Sequence, residues 1–551
     1  MLALLLSGLF SLLLFAGFGF FAAKILKLDV SFAGKMLMGI VAVNTLTAII
    51  SIFFPVNSYV LVFLIVLVAA MVPFIKNDVG TSVGNMLYKP TQLIVSLLFI
   101  FPGILIALNA PDNYDTGLYH TQAIKWIEEY PVIPGLANLH GRFGFNPNVF
   151  CLFALTSFSS VFGQHIYSIN LAVFIIIVPW FVNSIYSLHN KQGISGALLS
   201  FVILFLSLLL LTRNLTSPSP DFLSLVLTLF IFANVVGLVA ANKPLTIANY
   251  FPILILSVYI ITVKLSALPV LLLPLLLLFR CKPTLKQVML LTGISAIIIL
   301  PWLTRNVILS GWLVYPFPSA DLFNFDWKVP LEKVANEHKS VTGWARNPGP
   351  QYAAAAHMSI TGWFPLWFSH FKLHEKLFIA AGLIMPLIAL ALQVIKKTRA
   401  TYFINVVIIT AFAGTLFWLF TAPVFRFGIA FIVAGILSPL LITQFRLKPS
   451  LKPALIFNIC ILLLWCGEVL MAQFHLKNAV FELCNTLIKP RRLPEPAESI
   501  FKVHVINGLK VYEPLPGDQC FSHGLPCTPY PDKTMLLRGK TISSGFKVIA
   551  Q

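Results

Sequence analysis

Charge is what this sequence has least of. Only 10% of its 551 residues are Asp, Glu, Lys or Arg, where a soluble domain carries about a quarter. That shortage excludes an ordinary soluble enzyme, and 58% apolar residues with 48 Phe exclude a disordered chain. Acids are scarcest, 19 against 38 Lys and Arg, for a formal net charge of +19. In a soluble protein that excess would suggest nucleic acid. Among long uncharged runs it suggests positive cytoplasmic loops instead, and no nucleic-acid partner is expected. Also missing are a basic leader with a cleavage site before the first apolar run, a four-ligand metal spacing, a solenoid period and an inverted repeat.

What is there predicts an all-α polytopic membrane protein. Runs able to cross about 30 Å of hydrocarbon fall near 2–22, 33–54, 58–75, 91–108, 166–186, 194–212, 221–241, 249–262, 265–280, 287–308, 377–395, 402–420, 425–443 and 453–472, about 14 transmembrane helices. Lys and Arg are held back on the cytoplasmic side of a membrane. One set of loops carries sixteen of them, Lys24, Lys89, Lys191 and Lys243 included, against only Asp29 and Asp78. The other set is nearly balanced, so both termini are expected outside, with large outer segments at 109–165, 309–376 and 473–551. The chain then divides into three N-terminal helices (1–90), a main module (91–443), a last span (444–472) and a small exported C-terminal tail (473–551) too short for a large core. Cys151, Cys281, Cys460 and Cys466 lie in or beside membrane runs and Cys484 in the tail. Cys520 and Cys527, with six residues between them, could pair in an oxidising exterior, which the spacing leaves open.

A charge within an apolar run costs roughly 2.5 to 3.5 kcal/mol at a helix centre, so each one points to a role. Lys264 is the sole charge between Asn249 and Phe279. Length splits that run in two at Lys264 and sets the lysine at the outer face, either reaching to the interface or held for an anionic ligand. Arg213, Arg305 and Arg426 end further helices on the same side; Arg213 reads as an anchor, while Arg305 and Arg426 stand among aromatic and Pro residues. Cations converging on one bilayer face suit a lipid-linked phosphate, which Arg grips in bidentate fashion. Asp115 opens an amphipathic segment expected to lie flat on the membrane. Tyr119, Ala123, Trp126, Ile127 and Tyr130 share its apolar face, and Lys125, Glu128 and Glu129 point away. Asp115 is either its N-cap or a reactive carboxylate. Asp221, following Pro220, is either a dipole-stabilised helix start or a partner of the cations. His120 and His140 are candidates for binding a substrate hydroxyl, and His357, His370 and His374 read as polar surface. Trp312, Trp327, Trp344, Trp363 and Trp367 suit a sugar-stacking platform or an interfacial belt equally.

The order of these pieces resembles the GT-C superfamily of membrane glycosyltransferases, most closely its protein-mannosyltransferase-like and aminoarabinose-transferase-like branch (glycosyltransferase family 39-like). Asp115-Thr-Gly-Leu-Tyr119, after the span ending near Leu108, resembles the family's Asp-Glu-x-x-Tyr turn. Asn146 through Gly163 resembles its interfacial helix, so 148–163 is not counted as a crossing. Pro218-Ser-Pro-Asp221, Thr262-Val-Lys264, Pro301-Trp302 with Arg305-Asn306, and Arg426-Phe427 resemble further elements, over roughly 91–443. Thr116 departs from the family's Glu, three helices precede the usual first one, and the tail resembles those of uncharacterised bacterial multi-spanning proteins. The resemblance implies a GT-C-like helical bundle with interfacial helices in the first outer loop, in a bacterial inner (cytoplasmic) membrane. It implies an inverting transfer of sugar from a polyprenyl-phosphate donor to an envelope glycan, lipid or protein acceptor. Asp115 would be the base, and Asp221 would orient the sugar or acceptor. Lys264, Arg305 and Arg426 would hold the phosphate, with Tyr119 and His120 beside them. No cofactor is expected to be obligatory, because Thr116 breaks the acidic pair that a divalent cation would use; a divalent cation held in part by Asp221 stays open. Two other classes stay open: a transporter or flippase of envelope lipids, with midplane charges and repeated halves, and an envelope-glycan polymerase or ligase.

Overall fold

The computed structural model describes residues 2–87, 89–192, 194–319, 321–395, 401–443, 446–447 and 501–549. Among these, ten helices are long and apolar enough to span a membrane: Leu2–Ile25, Phe32–Phe53, Ser58–Asn85, Pro90–Ala107, Ile169–Lys191, Pro220–Ala240, Leu285–Ser310, Leu373–Ile395, Tyr402–Thr421 and Phe425–Thr443. Three shorter apolar helices, Gly196–Leu209, Ile247–Val263 and Leu265–Cys281, occupy the runs expected at 194–212, 249–262 and 265–280. The body is thus a polytopic all-α membrane protein. The run at 453–472, with Cys460, Cys466 and Cys484, lies outside the described residues.

These helices are apolar on every side, as segments that face both protein and lipid must be. Helix Pro220–Ala240 is the centre, 78% buried over its most apolar stretch, whereas Ser58–Asn85 is 17% buried and forms part of the rim. Leu2–Ile25 and Phe32–Phe53 meet backbone to backbone. A Cβ on Gly19 would lie 1.9 Å from the Lys35 carbonyl oxygen, and one on Gly39 1.9 Å from that of Phe15. Small residues permit such an approach where lipid offers no hydrophobic drive to associate. Because the chain alternates direction, Asp115, Asp221, Lys264, Arg305 and Arg426 all come to one end of the bundle. We call this end the site face. Lys89, Lys191 and Lys243 come to the other, the basic face.

The loop 109–165 does not cross; it folds into short pieces, among them a π turn at Thr116–His120 and helices Thr121–Glu129 and Phe150–Leu155. One expectation is corrected here. Glu128 does not point away but is buried with Trp126 and Ile127. Its carboxylate faces His165 Nε2 at 2.7 Å and accepts from the Ser157 hydroxyl. Trp126 packs on Phe546 of the tail at 6.1 Å between ring centroids, so this helix is roofed by protein instead of lying bare on a membrane. The tryptophans of the second large loop divide, with Trp327 half-buried. Trp312, Trp363 and Trp367 are core residues, and Trp344 is the exposed one, at 52%.

The tail is no free appendage. Phe501–Ile506 pairs with Leu509–Pro514 and Met535–Leu537 with Phe546–Val548, both antiparallel. Asn507 and Gly508, at φ 50° and 84°, make the first turn, a dipeptide suited to the left-handed region. Cys520 and Cys527 are joined in a disulfide. With too little apolar surface to fold alone, the tail borrows a core from the outer loops. The Phe546 N–H donates to the Pro134 carbonyl at 2.9 Å, Arg538 Nε donates to Asp326 at 2.9 Å, and Lys333 pairs with Asp532.

Candidate functional site

Five ionisable side chains from four distant parts of the chain meet on the site face. Asp221 is the second residue of helix Pro220–Ala240, where Ser219 already supplies the N-cap. Its carboxylate, 5% exposed, pairs with the Lys264 ammonium and lies 2.8 Å from Arg426 Nε. Arg426 Nη2 donates to Asp115 Oδ2 at 3.1 Å, and Arg142 Nη1 donates to Asp115 Oδ1 at 3.3 Å. Asp115 makes no capping bond to the turn that follows it, so the N-cap reading fails. Phe427 closes one side, with its ring centroid 3.4 Å from Lys264 Nζ and 5.2 Å from the Arg426 guanidinium carbon.

Helix ends explain why these positions tolerate charge. Asp221 stands in a first turn, where the backbone dipole favours an anion, and Lys264 is the C-cap of Ile247–Val263, where it favours a cation. Arg426 is in the first turn of Phe425–Ile436, the wrong end for a cation. The two carboxylates and the face of the Phe427 ring compensate it.

Arg142 extends the network to Glu337, whose carboxylate lies 3.7 Å from its Nε, and its guanidinium stands 5.8 Å from the Tyr119 ring. Three cations therefore face three carboxylates. Burial pushes the Asp115 carboxyl up. The neighbouring His120, Arg426, Arg142 and Lys264 outweigh burial and hold it below the usual carboxylate range. Burial also pushes the His120 imidazole down to about 3, so it is neutral at pH 7 and the cations carry that effect. The Glu337 carboxyl is raised by burial against the pull of Arg142.

The remaining candidates sit elsewhere. Tyr119 and His120 are buried with rings 4.4 Å apart, and His120 packs on Phe150 at 5.3 Å. They back the Asp115 turn and do not line the small cavity beside Asp221. Arg305 is corrected most clearly. It is 2% exposed, donates from Nε to Asn146 Oδ1 at 3.0 Å and from Nη1 to Ser51 Oγ at 2.6 Å, and has no carboxylate within salt-bridge range among the described residues. Its contacts tie helix Leu285–Ser310 to the segment that carries Arg142, so it positions the network without joining it. His140 is buried between Phe143 and Tyr530, and burial pushes its imidazole down to about 3.

Beside Asp221, Lys264 and Arg426, and next to Ser224 and Thr228, lies a cavity of about 20 Å³, the size of one water. A ligand larger than a water enters only if the ion pairs part. Each carboxylate already faces fixed cations that would repel a divalent ion, so this donor set does not fit one.

Residues 1–433 match a family described as a domain of unknown function, DUF8201. The chain belongs to that family. The match includes every member of the ion network and stops before the tail. No curated protein and no solved structure matches the chain.

Sequence reasoning missed Arg142, Glu337 and the Glu128 with His165 pair. A signal existed for Arg142, an isolated cation between Gly141 and Phe143 on the balanced side, and none for the others.

Proposed function

We propose that the protein is a GT-C-type membrane glycosyltransferase that moves a sugar from a polyprenyl-phosphate donor to an acceptor hydroxyl at the outer face of a bacterial inner membrane. One observation carries this reading: Arg426 bridges Asp115 and Asp221 while Lys264 flanks the same carboxylate. The donor is a phosphodiester of charge about −1, and the departing polyprenyl phosphate carries nearly −2 at neutral pH. Charge therefore grows as the glycosidic bond to phosphate breaks, and fixed cations stabilise the late state more than the early one. The leaving group needs no proton. The acceptor does need a base: Asp115 takes the hydroxyl proton as the new bond forms opposite the breaking one, inverting the anomeric centre.

The closed network supplies an order of events. A phosphate that engages Arg426 and Lys264 removes one cation from Asp115 and so raises its basicity, while Arg142 keeps the carboxylate oriented. Asp221, released from its partners, holds sugar or acceptor hydroxyls. Charges gathered at one end of the bundle favour this reading over a transporter, which needs ionisable groups along its path.

The test is consumption of labelled polyprenyl-phosphate sugar by the full chain in proteoliposomes. Asp115→Asn should express normally and lose at least about a hundredfold in transfer. Full activity in that variant would show the carboxylate to be structural only, and lipid movement without sugar release would favour the flippase.

A further inference from the structure

On the basic face, away from the ion network, the bundle holds an open crevice of about 1050 Å³. Its wall includes Leu13, Ile175 and Ile176, and Lys89, Lys191 and Lys243 line it as well. These lysines come from three different connections of the chain. Among the described residues no Asp or Glu lines the crevice and no carboxylate pairs with any of the three.

Along helix Ile169–Lys191 the wall is graded, apolar at Ile175 and Ile176, hydroxylated at Ser184 and Ser187, cationic at Lys191. From 175 to 191 is sixteen residues, about 24 Å of helix at 1.5 Å each. One leaflet with its headgroup layer is about 20 to 22 Å deep. The polarity gradient of the wall thus has the length and direction of a single lipid molecule. A zwitterionic headgroup would bring an ammonium against three lysines, whereas an anionic one brings only the phosphate.

We propose that this crevice binds one anionic phospholipid of the leaflet on the basic face. Its phosphate sits among Lys89, Lys191 and Lys243, its ester carbonyls accept from Ser184 and Ser187, and its acyl chains run against Leu13, Ile175 and Trp180. Occupancy joins the first helices to Ile169–Lys191 through the lipid.

Trp180 lines the crevice and supplies the readout, because brominated acyl chains quench a tryptophan they touch. The full chain is placed in phosphatidylcholine nanodiscs, and brominated phosphatidylglycerol or brominated phosphatidylcholine is titrated in. The signal of a Trp180→Phe variant is subtracted. Half-quenching is expected at roughly tenfold lower mole fraction of phosphatidylglycerol. The combined Lys89→Gln, Lys191→Gln, Lys243→Gln chain should lose that preference. A chain with Lys27→Gln, Lys282→Gln and Lys286→Gln, which removes equal charge from the same face outside the crevice, should keep it. Equal quenching by the two lipids in the wild type overturns the proposal, as does a preference that survives loss of the three crevice lysines.

Discussion

Lys264 has an ammonium that touches a carboxylate and an aromatic face at once, and a thioether keeps the aromatic contact but loses the ion pair. Lys264→Met should therefore raise the Michaelis constant for the lipid donor by tenfold or more, with a smaller change in turnover. An unchanged constant would remove the lysine from phosphate binding. The buried imidazoles of His120 and His140 bear on stability. Both are pushed down to about 3 by burial, so between pH about 6.5 and 3 the unfolded chain binds protons that the folded one refuses. Stability is full above the unfolded value and falls as pH drops through that window. His140→Phe, isosteric enough for its aromatic slot, should flatten the decline of melting temperature between pH 6.5 and 4; an unaltered slope would show His140 contributes nothing. At this scale the sequence is legible where position in the membrane limits the choices. Asp115, Asp221, Lys264 and Arg426 are readable as a set because the count of crossings sends all four to one end. Arg305 satisfies the same count yet belongs to Asn146 and Ser51, since depth alone does not say which neighbour a side chain meets.

Elements carry the charges by their ends. The break at Lys264 is readable from run length, because thirty apolar residues are too many for one crossing and too few for two full ones. The helix of Thr121–Glu129 is less readable. Its inner face depends on His165 and Phe546, which come much later in the chain. The loop closed by Cys520 and Cys527 shows how far such dependence reaches. The Phe521 N–H donates to the Gly117 carbonyl at 2.9 Å, Gln122 Nε2 donates to the Phe521 and His523 carbonyls at 3.0 and 2.9 Å, and Tyr114 donates to Asp518. That last bond pushes the Tyr114 phenol up to about 12. The disulfide therefore holds the segment that grips the Asp115 turn. Replacing both cysteines by Ser should speed tryptic cleavage of the tail at Lys533 and Arg538 and lower activity several-fold without unfolding the helices. Protease resistance equal to the wild type would mean that the loop holds itself in place.

Across the whole molecule the packed centre and the lipid-facing rim follow different rules. Phe181 is fully buried, so Phe181→Ala should cost about 3 to 5 kcal/mol and lower the melting temperature sharply. Val62 is 60% exposed on the rim helix, and Val62→Ala should be nearly silent. Equal effects would put the core in the wrong place. Composition makes the membrane class and most crossings legible. It leaves the tail's docking unreadable, since hairpins gain their apolar partners from loops hundreds of residues away. That docking has a consequence for traffic. The tail lies over the Asp115 turn, so a donor of the kind proposed above would meet protein there if it came straight down from the water. On the proposed reading the isoprenoid body would stay in the oil and only the reactive head would reach the charged corner, arriving from the side.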